Sequence, residues 1–176
     1  FGCVPSETYK ILGASPDGIC SKSTLTNEFS DMLGTMLEIK CPYVREIKTK
    51  GRTMGEICPY YYFCQVQQQL ECCDLDECDF LQVKLKEYDS YDDYVEDTNG
   101  SDGMTSNDLP KGVTVTYKEM FTEKFSYLYP ELYLSDDEYS KWIDDKKNWI
   151  KENDYEFVEA KWWFIERYEL YISSQR

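Results

Sequence analysis

The stretch Leu37-Glu38-Ile39-Lys40-Cys41-Pro42 constrains the fold more than any other part of this sequence. Aliphatic and charged residues alternate along it, which predicts a β-strand with Glu38 and Lys40 on one face and the two aliphatic side chains pointing into the opposite layer. Pro42 lacks the N–H that a strand ladder needs, so the strand is expected to end there. The pattern therefore places a carboxylate and an amine together near the end of a strand.

A second carboxylate, Asp17, stands in the turn sequence Ser15-Pro16-Asp17-Gly18. If strands on either side of residues 19–35 pair as a hairpin or meander, Asp17 comes to lie beside Glu38. Carboxylate oxygens are ligands for Mg²⁺ or Mn²⁺, which acidify a bound water, and a nearby lysine can orient that water or offset charge on phosphorus. This trio indicates metal-assisted phosphodiester hydrolysis, although a Glu-x-Lys pair on the wet face of a strand is also common. Since the two carboxylates repel each other, replacing either by its amide is expected to raise the melting temperature without metal.

A helix is predicted after Pro59, over residues 60–71. The turn around Asp17, the strand around Glu38 and the helical pattern Tyr62-x-x-Gln65-x-Gln67, in this order, closely resemble the lambda exonuclease/YqaJ branch of the PD-(D/E)xK nucleases, particularly those of large DNA viruses. The resemblance covers about residues 11–87. It implies an α/β, restriction-endonuclease-like fold with a central mixed β-sheet flanked by α-helices. The implied activity is that of a DNA exonuclease that digests duplex ends from 5′ to 3′ in viral recombination, replication and repair.

Residue by residue, the resemblance makes Asp17 and Glu38 metal carboxylates, the backbone carbonyl of Ile39 a further metal ligand, and Lys40 the catalytic lysine. Gln65 matches the glutamine that packs against the active site in relatives and is carried over as catalytic. The implied cofactor is Mg²⁺, as two ions, with Mn²⁺ able to substitute.

Further positions are carried over as DNA contacts, namely Ser15, Tyr62 and Gln67. For the next two glutamines of the helix, Gln68 and Gln69, a solvated helix face is the preferred interpretation. A structure-specific or nicking endonuclease and a catalytically silent DNA-binding protein remain as alternatives on the same fold.

Four basic residues follow the strand within residues 45–52: Arg45, Lys48, Lys50 and Arg52. Contact with the DNA phosphate backbone is favoured for them over an ordinary solvated loop. The whole chain has a net charge of −15, but residues 1–70 are neutral, residues 71–110 carry −11 and residues 111–176 carry −4. The acidity is local and does not exclude a nucleic-acid substrate at the motifs. It does predict weak non-specific affinity that depends strongly on metal and salt.

The eight cysteines include no Cys-x-x-Cys pair, and the chain contains no histidine, so a zinc site is poorly supported. An iron–sulfur cluster on Cys72, Cys73 and Cys78 is less favoured than free buried thiols in a reducing compartment. Neither zinc nor an iron–sulfur cluster is expected.

The rest of the chain predicts a strand over 78–87, an acidic mobile loop insertion with little to bury over 88–110, and a strand over 112–117. Ser135-x-x-Glu138 is a capping box that opens a helix reaching about Asn153. Its expected buried residues are Tyr139, Trp142, Ile143 and Ile150. Residues 162–165 predict an apolar strand, whose tryptophans favour core packing over base stacking.

Residues 1–176 are expected to form a single nuclease domain that is truncated at both ends, because the chain opens with Phe1 and relatives place another acidic ligand, their 5′-phosphate contacts and a final helix outside this span. No apolar run approaches membrane-spanning length, so no membrane partner is expected. Double-stranded DNA ends are the expected partner, and the resemblance allows a single-strand annealing protein and a homo-oligomer. The expected location is intracellular, in the host cytoplasm or nucleus for a viral protein.

Overall fold

The computed structural model of this protein describes residues 2–22, 28 and 31–175. Within these residues the chain forms eight strands and three helices, and none of those helices is long and apolar enough to cross a membrane. In chain order the elements are β1 (Val4–Pro5), β2 (Gly13–Ala14), β3 (Gly18–Ile19), β4 (Met36–Lys40), α1 (Tyr60–Cys73), β5 (Glu77–Glu87), α2 (Tyr91–Glu96), β6 (Lys111–Glu119), β7 (Phe125–Leu128), α3 (Asp136–Glu152) and β8 (Tyr155–Ser173).

The strands form a two-stranded antiparallel pair, β1-β2, and a six-stranded mixed sheet in the order β3-β4-β5-β8-β6-β7. β4 and β5 are parallel, with Met36 opposite Cys78 and Lys40 opposite Gln82, whereas β3 pairs antiparallel with β4. α1 connects the two parallel strands, so β4-α1-β5 is a βαβ unit, formed by the strand, helix and strand that the sequence predicted in this order. The predicted class, an α/β fold with a mixed sheet flanked by helices, is confirmed.

The residues group into two compact units, one comprising the chain up to Lys84 together with the residues from Arg167 on, and the other comprising Leu85–Glu166. β5 and β8 contribute residues to both units. All of the sequence-predicted site residues belong to the first unit.

The core of the first unit lies between α1 and the two parallel strands. Val66 and Leu70, one helical turn apart on α1, are fully buried and pack with Met36 of β4 and with Cys78 and Phe80 of β5. This packing fixes α1 over the face of β4 that also carries Glu38.

Burial along β4 and β5 is the reverse of what hydrophobic alternation alone suggests. Glu38 is 1 % exposed and Ile39 is 38 % exposed, so the expectation that Ile39 points into an opposite layer is wrong. On β5, Gln82 is fully buried and Lys84 is 8 % exposed, whereas Leu85 is 58 % exposed. The reason is that α1 contacts Glu38 while residues 45–57 contact Gln82 and Lys84, and these contacts satisfy the hydrogen bonds of the buried polar groups.

The second unit is built on α3 packed against the antiparallel strands β6, β7 and β8. Ser135 caps α3 as predicted: its Oγ accepts from the Glu138 N–H at 3.4 Å, and its own N–H donates to Glu138 Oε2 at 2.9 Å. Of the four residues expected to be buried, Tyr139, Ile143 and Ile150 are buried, and Trp142 is only partly so. Trp162 also packs against this core, in agreement with core packing.

The acidic segment 88–110 differs from the expected loop with little to bury. It contains α2, and Tyr94 within α2 is fully buried, with its ring centroid 4.4 Å from that of Trp162. The Lys111 ammonium, at the start of β6, donates to the carbonyl oxygens of Tyr94 at 2.8 Å and Asp97 at 2.7 Å. The expectation was wrong because it weighed the charges of this Tyr/Asp-rich stretch and not the apolar surface of its tyrosines, which can pack in a core.

Candidate active site

Asp17 stands immediately before β3 and contacts β4. β3 pairs with β4 only at Met36 and Leu37, so Asp17 lies just beyond the paired region. Its Oδ2 accepts a hydrogen bond from the N–H of Ile39 at 2.8 Å. The predicted pairing on either side of residues 19–35 is therefore confirmed, although positions 23–27 and 29–30 of that connection lie outside the described residues.

Glu38 is a buried carboxylate held by three donors. Lys40 Nζ and Gln65 Nε2 both donate to its Oε1, the second at 2.7 Å, and Gln69 Nε2 donates to its Oε2 at 2.7 Å. A buried charge is tolerated only when it is paired and hydrogen-bonded, and this donor shell meets both conditions. The structure thus brings together Glu38, Lys40 and Gln65, as the sequence predicted.

Gln69 is the site residue that sequence reasoning missed. It was interpreted as part of a solvated helix face, but it is 3 % exposed and donates to Glu38 and, at 3.3 Å, to the carbonyl of Ser15. The signal that could have found it is its spacing, three residues from buried Val66 and four from Gln65, on one face of α1.

Gln67 and Gln68 do not contact Glu38. Gln67 Nε2 donates to the carbonyl of Ser173 at 3.0 Å, and its Oε1 accepts from the N–H of Gln175 at 2.8 Å. Gln68 Nε2 donates to the carbonyl of Gly13 at 3.0 Å. Helical geometry turns Gln67 about 200° away from Gln65, so the two cannot share the active-site face.

Tyr62 lies between the two basic residues nearest the site. Its ring centroid is 4.7 Å from Lys40 Nζ and 6.0 Å from Arg45 Cζ. Arg45 itself donates from Nη2 to Gln82 Oε1 at 2.6 Å. Of the four basic residues in 45–52, Arg45 is the one that the structure brings next to the predicted catalytic residues.

The other three, Lys48, Lys50 and Arg52, are exposed and are called here the exposed basic loop. Arg52 forms an ion pair with Glu56 at 3.3 Å. The pKa of Glu56 is lowered chiefly because its carboxylate accepts a hydrogen bond from the Arg52 backbone N–H. These side chains present charge to solvent rather than to the donor shell of Glu38.

The oxygen atoms at the end of β4 fit a hard divalent cation. A carboxylate offers about four lone-pair positions, of which three are used at Glu38. The N–H and C=O of one strand residue point to the same side, so the carbonyl of Ile39 faces the side on which Asp17 accepts its N–H. Among the described residues no group of three or more His, Cys, Asp or Glu side chains could hold a metal, and the set of two carboxylates and one carbonyl stays a prediction. Mg²⁺ suits such a sparse oxygen site because it keeps several of its own waters.

All eight cysteines are free, and two of them lie beside the site in the core. Burial raises the pKa of Cys58 to about 11, and burial together with the charge of Glu38 raises the pKa of Cys78 to about 12. Both thiols are therefore protonated at neutral pH and act as small apolar packing groups.

A parallel β4-α1-β5 unit that gathers Asp17, Glu38 and Lys40 at a strand end is compatible with the nuclease class of α/β proteins. The family model of the YqaJ-like viral recombinase domain matches residues 2–76, so this part of the chain is similar to that family. The predicted resemblance is confirmed, and the family implies a nuclease of viral recombination that acts on DNA and generally depends on a divalent metal.

The chain is also similar to an uncharacterized protein of Acanthamoeba polyphaga mimivirus. The two are 41 % identical over 159 residues, which cover 83 % of this chain and 29 % of the mimivirus protein. The chain thus spans less than a third of the length of this relative, and the similarity supports an origin in a large DNA virus.

Proposed function

We propose that this protein is a Mg²⁺-dependent DNA exonuclease that hydrolyses phosphodiester bonds at duplex ends from 5′ to 3′, in viral recombination, replication or repair. The observation that carries the proposal is the buried Glu38 carboxylate, held by Lys40, Gln65 and Gln69. Burying a carboxylate costs stability, and departures of this kind from an apolar interior concentrate at functional sites, which favours a catalytic role for Glu38 over a solvated strand face.

Each residue of the site has a role in this proposal. Gln65 and Gln69 donate hydrogen bonds to the two oxygens of Glu38, which limits the rotation of its carboxylate. One lone-pair direction of the carboxylate is left for a cation. The Ile39 N–H orients Asp17 in the same way. Lys40 is held between Glu38 and the Tyr62 ring, where its ammonium orients the attacking water and offsets negative charge developing on the phosphate. Divalent ions, two in this proposal, supply a more acidic water when bound, and Mn²⁺ substitutes for Mg²⁺.

For DNA, we assign Arg45 to close phosphate contact and the exposed basic loop to more distant contact with the backbone, with Ser15 and Tyr62 beside the substrate path. Gln67 is not carried forward, because both ends of its amide are bonded near the end of β8. We also propose residues 1–176 as one nuclease domain that acts inside a reducing compartment of the host cell. A single-strand annealing protein and a second copy of the chain are the protein partners to test.

The test is digestion of an end-labelled duplex in three forms, with a 5′-phosphate, with a 5′-hydroxyl, and as a closed circle. Mg²⁺ or Mn²⁺ should support cleavage of the linear forms, and Ca²⁺ should bind without supporting it. Asp17→Asn and Lys40→Met should each lose several orders of magnitude in rate. The matched control is Asp145→Asn, which alters an exposed carboxylate of α3.

Full activity in excess chelator, or an unchanged rate for Asp17→Asn, would contradict the mechanism. Cleavage of the circle as fast as the linear duplex would instead identify an endonuclease. Binding of DNA without cleavage under all metals would identify a catalytically silent DNA-binding protein.

A further inference from the structure

The inward face of β5 carries two polar residues that the proposed reaction does not use. Gln82 is fully buried and Lys84 is 8 % exposed, and they follow Cys78 and Phe80 on the same face of the strand. Placing an amide and an ammonium in the interior is unfavourable unless their hydrogen bonds are made, and such departures from the hydrophobic pattern concentrate at functional sites. Their contacts indicate what they do.

Lys84 holds the main chain that follows the catalytic strand. Its Nζ lies 3.5 Å from the carbonyl oxygen of Val44 and 3.4 Å from that of Arg45, and it forms an ion pair with Glu46 Oε1 at 2.6 Å. Three successive residues of this segment are thus tied to one buried ammonium.

Gln82 holds the side chain of Arg45. Its Oε1 accepts from Arg45 Nη2 at 2.6 Å, and its Nε2 lies 3.4 Å from the carbonyl oxygen of Ile57. One partner is a donor and the other an acceptor, so the amide has a single favourable orientation. Lys84 and Gln82 together fix both the backbone and the guanidinium of Arg45.

The guanidinium fixed in this way still has donors to offer. Arg45 uses one N–H on Gln82 and another, at 3.3 Å, on the carbonyl of Glu46, which leaves three of its five N–H groups without a protein acceptor among the described residues. It shares the Tyr62 ring with Lys40, so a second cation stands beside the proposed catalytic lysine. A planar guanidinium with paired donors suits the bidentate binding of a phosphate.

We infer that Gln82 and Lys84 are positioning residues that fix Arg45 as a clamp for the DNA phosphate next to the scissile one. The inference rests on the proposed nuclease function and adds a distinct subsite to it. The exposed basic loop differs from this clamp, since its residues face solvent and no buried side chain of the described residues orients them.

The test replaces single phosphates of the substrate by neutral methylphosphonates, one linkage at a time, and measures single-turnover cleavage with Mg²⁺. In the unaltered protein, one linkage beside the scissile bond should show a loss on the order of 10- to 100-fold, because a misplaced or unbound phosphate disturbs alignment. In Arg45→Ala, replacing the phosphate of that linkage should cause no further loss of cleavage rate, because the guanidinium that binds its negative charge has been removed.

Gln82→Leu and Lys84→Met should reproduce the Arg45→Ala pattern, with slower cleavage of normal DNA and no further loss at that linkage. Gln82→Glu keeps an acceptor for Arg45 and should retain the linkage-specific loss. The matched control is Lys86→Met, which removes the next lysine of β5, one that pairs with Glu166 at 2.8 Å, and it should match the unaltered protein.

A merely structural role predicts a different result, in which Gln82→Leu and Lys84→Met lower the melting temperature and slow all substrates equally while the linkage-specific loss persists. That result would overturn the clamp and leave the nuclease proposal intact. If the unaltered protein neither binds nor cleaves duplex DNA, the nuclease proposal fails and the clamp fails with it.

Discussion

Replacing Glu38 by glutamine tests the donor shell directly, without any assumption about the substrate. Oε1 of Glu38 accepts from Lys40 and Gln65, and Oε2 accepts from Gln69. The amide of Glu38→Gln has one oxygen and one N–H₂ group, so at least one position must present a donor to a donor. Repulsion between two carboxylates predicted a higher melting temperature for this variant, and the donor shell reverses the expected sign.

The size of the effect follows from the bonds lost. One charge-assisted hydrogen bond, about 1.5–3 kcal/mol, disappears, and the remaining two become neutral bonds of about 1 kcal/mol each. If the side-chain amide of Gln69 flipped, its oxygen could accept from the new N–H₂ group and restore one hydrogen bond. Gln69 would then no longer donate to the Ser15 carbonyl at 3.3 Å. The bonds lost come to about 2.5–7 kcal/mol, and removing the buried charge recovers part of this cost. The net loss in the free energy of unfolding is therefore about 2–4 kcal/mol, or roughly 5–15 °C in melting temperature for a chain of this size.

The assay is thermal unfolding in chelator at neutral pH, followed by circular dichroism. Asp17→Asn is the matched control, because Asp17 is exposed, accepts one hydrogen bond from Ile39 and keeps an oxygen acceptor as asparagine. It should melt within about 2 °C of the unaltered protein, as surface substitutions usually do. A Glu38→Gln variant that melts at or above the unaltered protein would refute the reasoning, as would an equal loss in Asp17→Asn.

Four other predictions concern three separate parts of the molecule. Neutralising all three residues of the exposed basic loop should weaken DNA binding and flatten its salt dependence while leaving the saturated single-turnover rate nearly unchanged; a collapse of that rate would place the loop in the reaction centre. Iodoacetamide at pH 8 should leave Cys58 and Cys78 unlabelled in the native protein, as read by peptide mass mapping, because their pKa values are raised to about 11 and about 12. Since these thiols ionise first in the unfolded chain, they should also lower the free energy of unfolding as pH rises above about 9 toward 12, and equal stability at pH 8 and pH 11 would contradict this. Lys111→Met should cost about 2–4 kcal/mol in urea unfolding, because two carbonyl groups lose their shared donor; a change below about 0.5 kcal/mol would argue against this anchoring role.

The sequence by itself determined the local elements and the residues proposed for the site. The alternation around Glu38 predicted β4, Pro59 predicted the start of α1, and the Ser135 capping box predicted the start of α3, because each of these signals acts between residues that are close in sequence. The ordered motifs also predicted Asp17 and Lys40 as neighbours of Glu38. For Asp17 this needed strands on either side of residues 19–35 to pair, and β3 and β4 do pair there.

Only the tertiary structure decided which face of each strand is inside. Alternation divides a strand into two faces but does not say which of them will be covered. Here α1 contacts Glu38, and the segment 44–57 contacts Gln82 and Lys84. The same packing turned Gln69 onto Glu38 and Gln67 toward Ser173, although both lie in one run of glutamines. These polar groups are stable inside because donors and acceptors from distant parts of the chain meet them there, and such pairings exist only once the chain has folded.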